Sequence, residues 1–256
     1  MKAAEPARKV SLIPVTLDSE VRPGDDLAAL LLRALRKKRS PLLRDDILVV
    51  KHKVVSKAEG RVVTLAAVRP SASASRWAGK HGLDARVVQL ALDESRRVVR
   101  QKRGVLITET RHGLICANSG VDVSNVDGGA SAVLLPIDPD ASAERIRRAI
   151  RRRTGLSVPV IVTDSFGRPW REGLCEVAIG LAGIEPLHDY RGRRDHRGYP
   201  LHATVEAVAD ELACAAGLVC GKLSRTPACI IRGFSYRPGR SKAGALLRPA
   251  KLDLFR

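Results

Sequence analysis

The stretch Val158-Pro159-Val160-Ile161-Val162-Thr163-Asp164 decides the fold class. Its apolar, β-branched run reads as a strand buried on both faces, and it ends on a carboxylate. Ile47 to Val50 is a second run of the same kind, and Cys229 to Ile231 a third. Helix-period segments lie around them. Leu27, Leu30, Leu31, Ala34 and Leu35 share one helical face, with Asp25 placed to cap it and Pro41 closing the connection. Ala141 to Arg153 is amphipathic and stops at Gly155. Thr204 is placed to cap a long helix carrying Val205, Val208, Leu212, Ala215 and Val219 on one side and ending at Gly221. Val87 to Val99 has helical periodicity, residues 70–82 read as a loop or short helix, and Val105 to Ile107 with Leu114 to Ala117 read as a hairpin. Strands and helices interleave without strict βαβ regularity, so the expectation is a mixed α/β fold of the α+β kind. No internal repeat or linker divides residues 1–256, and residues 234–256 read as a basic arm.

The net charge of +18 is the strongest compositional signal. It calls for an anionic partner, such as nucleotide phosphate, an acidic metabolite or nucleic acid, or else marks a solvated surface. Arg36 to Arg39 and the arginines from Arg145 to Arg153 ride on amphipathic helices and read as solvated faces. The five cysteines are odd in number and scattered, which reads as reduced thiols and not as a disulfide framework or zinc site. No apolar run approaches the roughly twenty residues that span a bilayer. Met1 to Lys9 leads into no signal-like stretch, so a cytoplasmic address is expected.

Two segments are built for cation and phosphate chemistry. Residues 118–129 pack two Asp, two Asn, two Ser and three Gly into twelve positions after a strand. Hard divalent cations take such oxygens, and glycine lets backbone approach phosphate, although the same residues also build plain turns. The second runs from Thr163 to Gly173. Asp164 and the Ser165 hydroxyl suit Mg²⁺, while Arg168 and Arg171 suit forked bonds to phosphate or carboxylate. An Asx-capped turn with surface arginines is the plainer alternative. His52, Lys53 and Lys57 follow a strand as further phosphate candidates or an ordinary basic loop. Glu109, Arg111 and His112 have no catalytic spacing. Gly217 to Ser224 superficially resembles a phosphate-binding loop, but its glycine spacing is one short and it follows a helix.

Six strings occur in order: DDILVVKHKVVSKAEGRVV, ITETRHGLICANSGVDVSNVDGG, LPIDPDASAERIR, VTDSFGRPWREG, VAIGLAGIEPLHDYRG and VEAVADELA. Together they resemble coenzyme F-420:L-glutamate ligase, over residues of about 10–233. The resemblance implies an unusual mixed fold of two lobes, an intertwined homodimer, and addition of L-glutamate to the deazaflavin precursor of coenzyme F-420. It implies GTP as co-substrate, Mg²⁺ or Mn²⁺, K⁺ as activator, an acyl-phosphate intermediate and a γ-linked tail. By position, Asp122 and Asp164 match metal-binding carboxylates and Ser165 a hydroxyl ligand of a second metal. His52, Lys53, Lys57, Asn125 and the Gly221-Lys222 loop match nucleotide-binding positions, and Asp18 to Val21 lies where another such stretch belongs. Lys222 stands where the archaeal pattern has an acidic metal ligand. The form expected is the stand-alone one, without a flavin-reductase-like extension. A ligase of the same type on another acidic metabolite, or a basic nucleic-acid-binding protein, are the competing readings.

Overall fold

The computed structural model describes residues 9–254. Residues 1–8, where the sequence shows no signal-like stretch, and the last two residues of the basic tail lie outside the described residues. The central sheet has five strands, β1 (Ser11–Val15), β2 (Ile47–Lys51), β8 (Val160–Arg168), β9 (Arg171–Ala182) and β12 (Ala228–Arg232), in the order β1-β12-β2-β8-β9. Only β2 and β8 are parallel; the other neighbouring pairs are antiparallel.

The three apolar runs read in the sequence are the three middle strands, and their burial explains their composition. Leu48, Val50, Val160, Val162 and Ile230 face helices α1 (Leu27–Lys37) and α5 (Pro139–Thr154). Ile47, Val49, Ile161, Cys229 and Ile231 face α6 (Val208–Cys220) on the other side. A strand covered on both faces has no polar side to alternate with, hence a continuous hydrophobic run. Helix α1 buries Leu27, Leu31 and Leu35, as the spacing predicts, but its cap is Asp26, whose side chain accepts from Ala29 N at 3.0 Å. Asp25 instead accepts from Arg22 N, one residue too early to close the helix. Helix α5 has Asp138 as cap, proline at its first turn and Gly155 at φ 74° as its left-handed stop.

A second group of elements lies between β3 (Val62–Thr64) and β7 (Ser131–Val133), which pair with each other. It holds α3 (Ala72–His81), α4 (Ala85–Asp93) and the three-stranded sheet β4 (Ser95–Lys102), β5 (Val105–Thr110), β6 (Ile115–Ala117). Its own core includes Leu65, Leu90, Leu106, Val121 and Leu134.

Four local expectations are corrected. The helical periodicity of Val87 to Val99 stops at Asp93, and the rest is β4, paired to β5, where cross-strand hydrogen bonding overrides the local pattern. Val205 does not enter α6; with Glu206 it forms β11, paired to β10 (His188–Asp189), and the helix starts at Val208. The segment from His52, for which an ordinary basic loop was the alternative to phosphate contacts, is helix α2 (His52–Ala58). The C-terminal residues do not stand off as an arm. Ala243 is buried and its N–H donates to Asp140 Oδ1 at 3.0 Å, Glu185 N donates to Arg237 O at 2.9 Å, and Ser241 bonds the Glu185 carboxylate. The five cysteines are free thiols. Among the described residues no helix is long and apolar enough to cross a membrane.

Candidate active site

The parallel alignment of β2 and β8 brings two strand ends to the same edge of the sheet, and the site is built there. Lys51 pairs in register with Thr163, so the chain beyond each strand reaches one cavity of about 1020 Å³. That is the upper end of the roughly 300–1,000 Å³ typical of small-molecule sites. His52, Lys53, Lys57, Asp122, Asn125, Asp164, Ser165, Gly221 and Lys222 all line it, and so do Asp18 to Val21.

Asp122 is fixed before any ligand arrives. Its N–H donates to Val133 O and its carbonyl accepts from Val133 N, which pins the loop to β7. The loop's backbone is left-handed at Asn118, Ser119, Asn125 and Asp127, positions where Asn and Asp are tolerated better than most residues. Buried Ser119 holds its root through Ala91 O at 2.6 Å and Thr108 at 2.8 Å. The Asp122 carboxylate lies 2.7 Å from Lys53 Nζ and accepts from Ser124 N at 2.6 Å. Burial by itself would raise this carboxyl; the Lys53 ammonium and the Ser124 donors overcome it and hold it below the ordinary range.

The strand read as ending at Asp164 does not stop there. Strand β8 continues past Asp164 and Ser165 to Arg168 and turns at Pro169-Trp170 into β9. Within this ladder Asp164 Oδ1 lies 3.2 Å from buried His52 Nε2, although the pair is not aligned as a hydrogen bond. Ser165 Oγ accepts from Lys222 Nζ at 2.6 Å and donates to Glu176 Oε1 at 2.7 Å. The hairpin carries Arg168 and Arg171 away from the cavity wall. Neither lines it, and Arg168 donates to Glu172 O at the hairpin tip. The ladder extends four residues beyond Asp164 and takes both arginines with it, so the structure does not bring them to the cavity with the other candidates.

The cations that do line the cavity are Lys51, Lys53, Lys57, Lys222 and Arg225. Lys57 Nζ bridges Glu20 at 2.6 Å and Asn125 O at 3.1 Å, joining the two loops on either side. The Lys57 hydrogen bond lowers the Glu20 carboxyl. Three residues escaped the sequence reading. Lys51 ends the apolar strand β2, Glu176 lies within β9 next to its apolar half, and Arg225 follows an unremarkable turn. Only the strand end at Lys51 carried a signal. The cluster of Glu109, Arg111 and His112 is structural: Arg97 pairs Glu109, Arg111 donates to Asp93 O, and His112 Nε2 lies 2.9 Å from Pro136 O.

The donor set offered to a cation is Asp122, Asp164 and the Ser165 hydroxyl, all hard oxygens. Among the described residues no three His, Cys, Asp or Glu side chains cluster closely enough to hold an ion alone. Such a set fits Mg²⁺ or Mn²⁺, which take few protein ligands and complete their shell with water and phosphate oxygens. Acids and lysines alternate around one cavity, which suits a cation and a phosphate together better than a bare polyanion.

The sequence was also compared with known proteins as a whole. The family described as F420-0:gamma-glutamyl ligase matches residues 18–233. The chain belongs to this family. It is 46% identical over 250 residues to the coenzyme F420:L-glutamate ligase of Methanothermobacter thermautotrophicus, covering 96% of this chain and 99% of the relative. It is 44% identical over 248 residues to the enzyme of the same name from Methanopyrus kandleri, covering 95% and 96%. To that of Methanocaldococcus jannaschii it is 44% identical over 217 residues, covering 84% and 86%.

Proposed function

We propose that this chain is a GTP-dependent ligase that adds L-glutamate to the deazaflavin precursor of coenzyme F-420 through an acyl phosphate, forming a γ-linked tail. The observation that carries the reading is the meeting of Asp122 and Asp164, distant in sequence, on one cavity with Lys53, Lys57 and Lys222. The names and near-full coverage of the relatives support the substrate. A carboxylate is a poor acyl donor, so its oxygen first takes the γ-phosphoryl group of GTP, and GDP leaves with the electrons of the broken P–O bond. The glutamate amine then forms the amide bond as the phosphate leaves with the C–O bond electrons.

Asp122, Asp164 and Ser165 would hold Mg²⁺ or Mn²⁺, which supplies charge neutralisation of the phosphates during transfer. Lys53 and Lys57 act as point charges on the phosphate oxygens, and the Lys222 ammonium adds positive charge beside Ser165. His52 borders the nucleotide beside Asp164. Asn125 and the Gly221-Lys222 loop border the nucleotide. K⁺ as an activator, a homodimeric assembly and a cytoplasmic setting, where GTP and glutamate are supplied, complete the proposal.

The test is incubation with the precursor, GTP, Mg²⁺ and glutamate, followed by mass spectrometry of the products. A mass gain of one or more glutamyl units is expected. Phosphate release with glutamate but no change in the precursor would overturn the substrate and favour another acidic acceptor. Salt-sensitive nucleic-acid binding with no GTP turnover would overturn the ligase reading altogether.

A further inference from the structure

Glu176 belongs to none of the chemical motifs in the sequence, yet it organises one end of the cavity. It stands opposite Ser165 in the β8–β9 ladder, with a side chain 9% exposed. Its Oε1 accepts from Ser165 Oγ at 2.7 Å and from Lys51 Nζ at 2.5 Å; its Oε2 accepts from Thr163 Oγ1 at 3.1 Å. Gly217 on α6 makes room for it, since a Cβ there would stand 2.7 Å from Glu176 Cγ.

A serine hydroxyl has one proton and two acceptor lone pairs. With the proton committed to Glu176, Ser165 has only lone pairs left for the cavity, and one receives the Lys222 ammonium. The oxygen is thus set to face positive charge. Lys51 compensates the buried Glu176 carboxylate, so that group stays ionised without needing an external cation.

We propose that Glu176 is a positioning residue that fixes the polarity of Ser165, making its hydroxyl oxygen an acceptor dedicated to a cation in the cavity. The proposal rests on the reading of Ser165 as a metal ligand given under Proposed function. It goes beyond that reading by naming what orients the ligand.

The experiment titrates Mn²⁺ into the full chain at a fixed concentration of a non-hydrolysable GTP analogue, with free Mn²⁺ read by electron paramagnetic resonance. Ser165→Ala defines the part of the isotherm that needs this oxygen. Glu176→Met fills similar volume but cannot take the serine proton, and is expected to follow Ser165→Ala, weaker than wild type by about tenfold or more. Glu176→Gln keeps an oxygen for that proton and is expected to bind as wild type does. Gly217→Ala crowds Glu176 while favouring the helix; it too is expected to weaken binding, and it stands in if Glu176→Met does not fold.

Wild-type binding by Glu176→Met, or by Gly217→Ala in its place, with Ser165→Ala impaired, overturns the role of Glu176 alone. Equal weakness of Glu176→Gln and Glu176→Met overturns it as well, because charge and not acceptance would then be what matters. Wild-type binding by Ser165→Ala removes Ser165 from the cation site, and this inference with it.

Discussion

Asp122 reaches the cavity on a loop pinned to β7, and Asp164 reaches it from within a strand, so each carboxylate is placed by backbone hydrogen bonds before ligand binds. Asp122→Asn and Asp164→Asn keep the shape and remove the charge. Each is expected to abolish glutamate-dependent phosphate release from GTP, measured by a coupled phosphate assay; near-normal turnover in both would refute the carboxylate assignment. Acid behaviour at this scale follows from Glu176. Burial pushes its carboxyl up, but Lys51, Ser165 and Thr163 outweigh this and hold it below the ordinary 4.5. A carboxyl lowered by folding contributes stability in full above its unfolded value, and the contribution is lost as pH falls through the native value. Glu176→Gln should therefore flatten the fall in urea midpoint between about pH 6 and about pH 3. An equally steep fall in the variant would show that the stabilisation comes from elsewhere. Asp122, Asp164, Lys53 and Lys57 were legible in the sequence because oxygen-rich loops and strand ends have a recognisable composition. Glu176 was not, since its partner Lys51 lies 125 residues away and no oxygen-rich pattern surrounds it in β9.

Elements read well where one periodicity governed them and poorly where pairing across the chain decided. Helices α1 and α5 and the three central strands follow their apolar spacing. The tail of α4 and the start of α6 did not, because strand partners claimed those residues. The same distinction separates Asp26 from Asp25. Only Asp26 takes an N–H of α1, so Asp26→Ala should cost about 1 kcal/mol in chemical denaturation. Asp25→Ala should cost less; the reverse order would reassign the cap. Helix α5 meets β9 at Gly180, where an added Cβ would lie 2.3 Å from the Pro139 carbonyl carbon. Backbone cannot yield as a side-chain tip can. Gly180→Ala is expected to lose about 1–3 kcal/mol of stability by overpacking, and an unchanged unfolding midpoint would show that α5 shifts freely.

For the molecule as a whole, the layered mixed architecture was foreseeable from apolar runs alternating with amphipathic helices, whereas the strand order was not. No local signal says that β12 inserts between β1 and β2. The C-terminal segment was misread for a related reason: its composition is basic, but its backbone and a few small residues dock on Asp140 and Glu185. Leu246 and Leu247 also pack against the two cores on either side of the sheet. Deleting residues 235–256 should lower the thermal midpoint by about 5 °C or more. Full thermal stability in the truncated chain would return that segment to the status of an appendage.

The position of β12 has a consequence for how the protein is made. Ribosomes deliver roughly 5–20 residues per second, N-terminus first. Strand β1 leaves the exit tunnel early, but the partner it needs, β12, ends only at Arg232. The same late strand supplies the other neighbour of β2. A nascent chain therefore carries unpaired apolar strand edges for most of its synthesis, while the smaller group from β3 to β7 has every partner strand available once Val133 emerges. On this schedule the pairings between β3 and β7 can be completed first, and the central sheet gains its last strand, β12, after them.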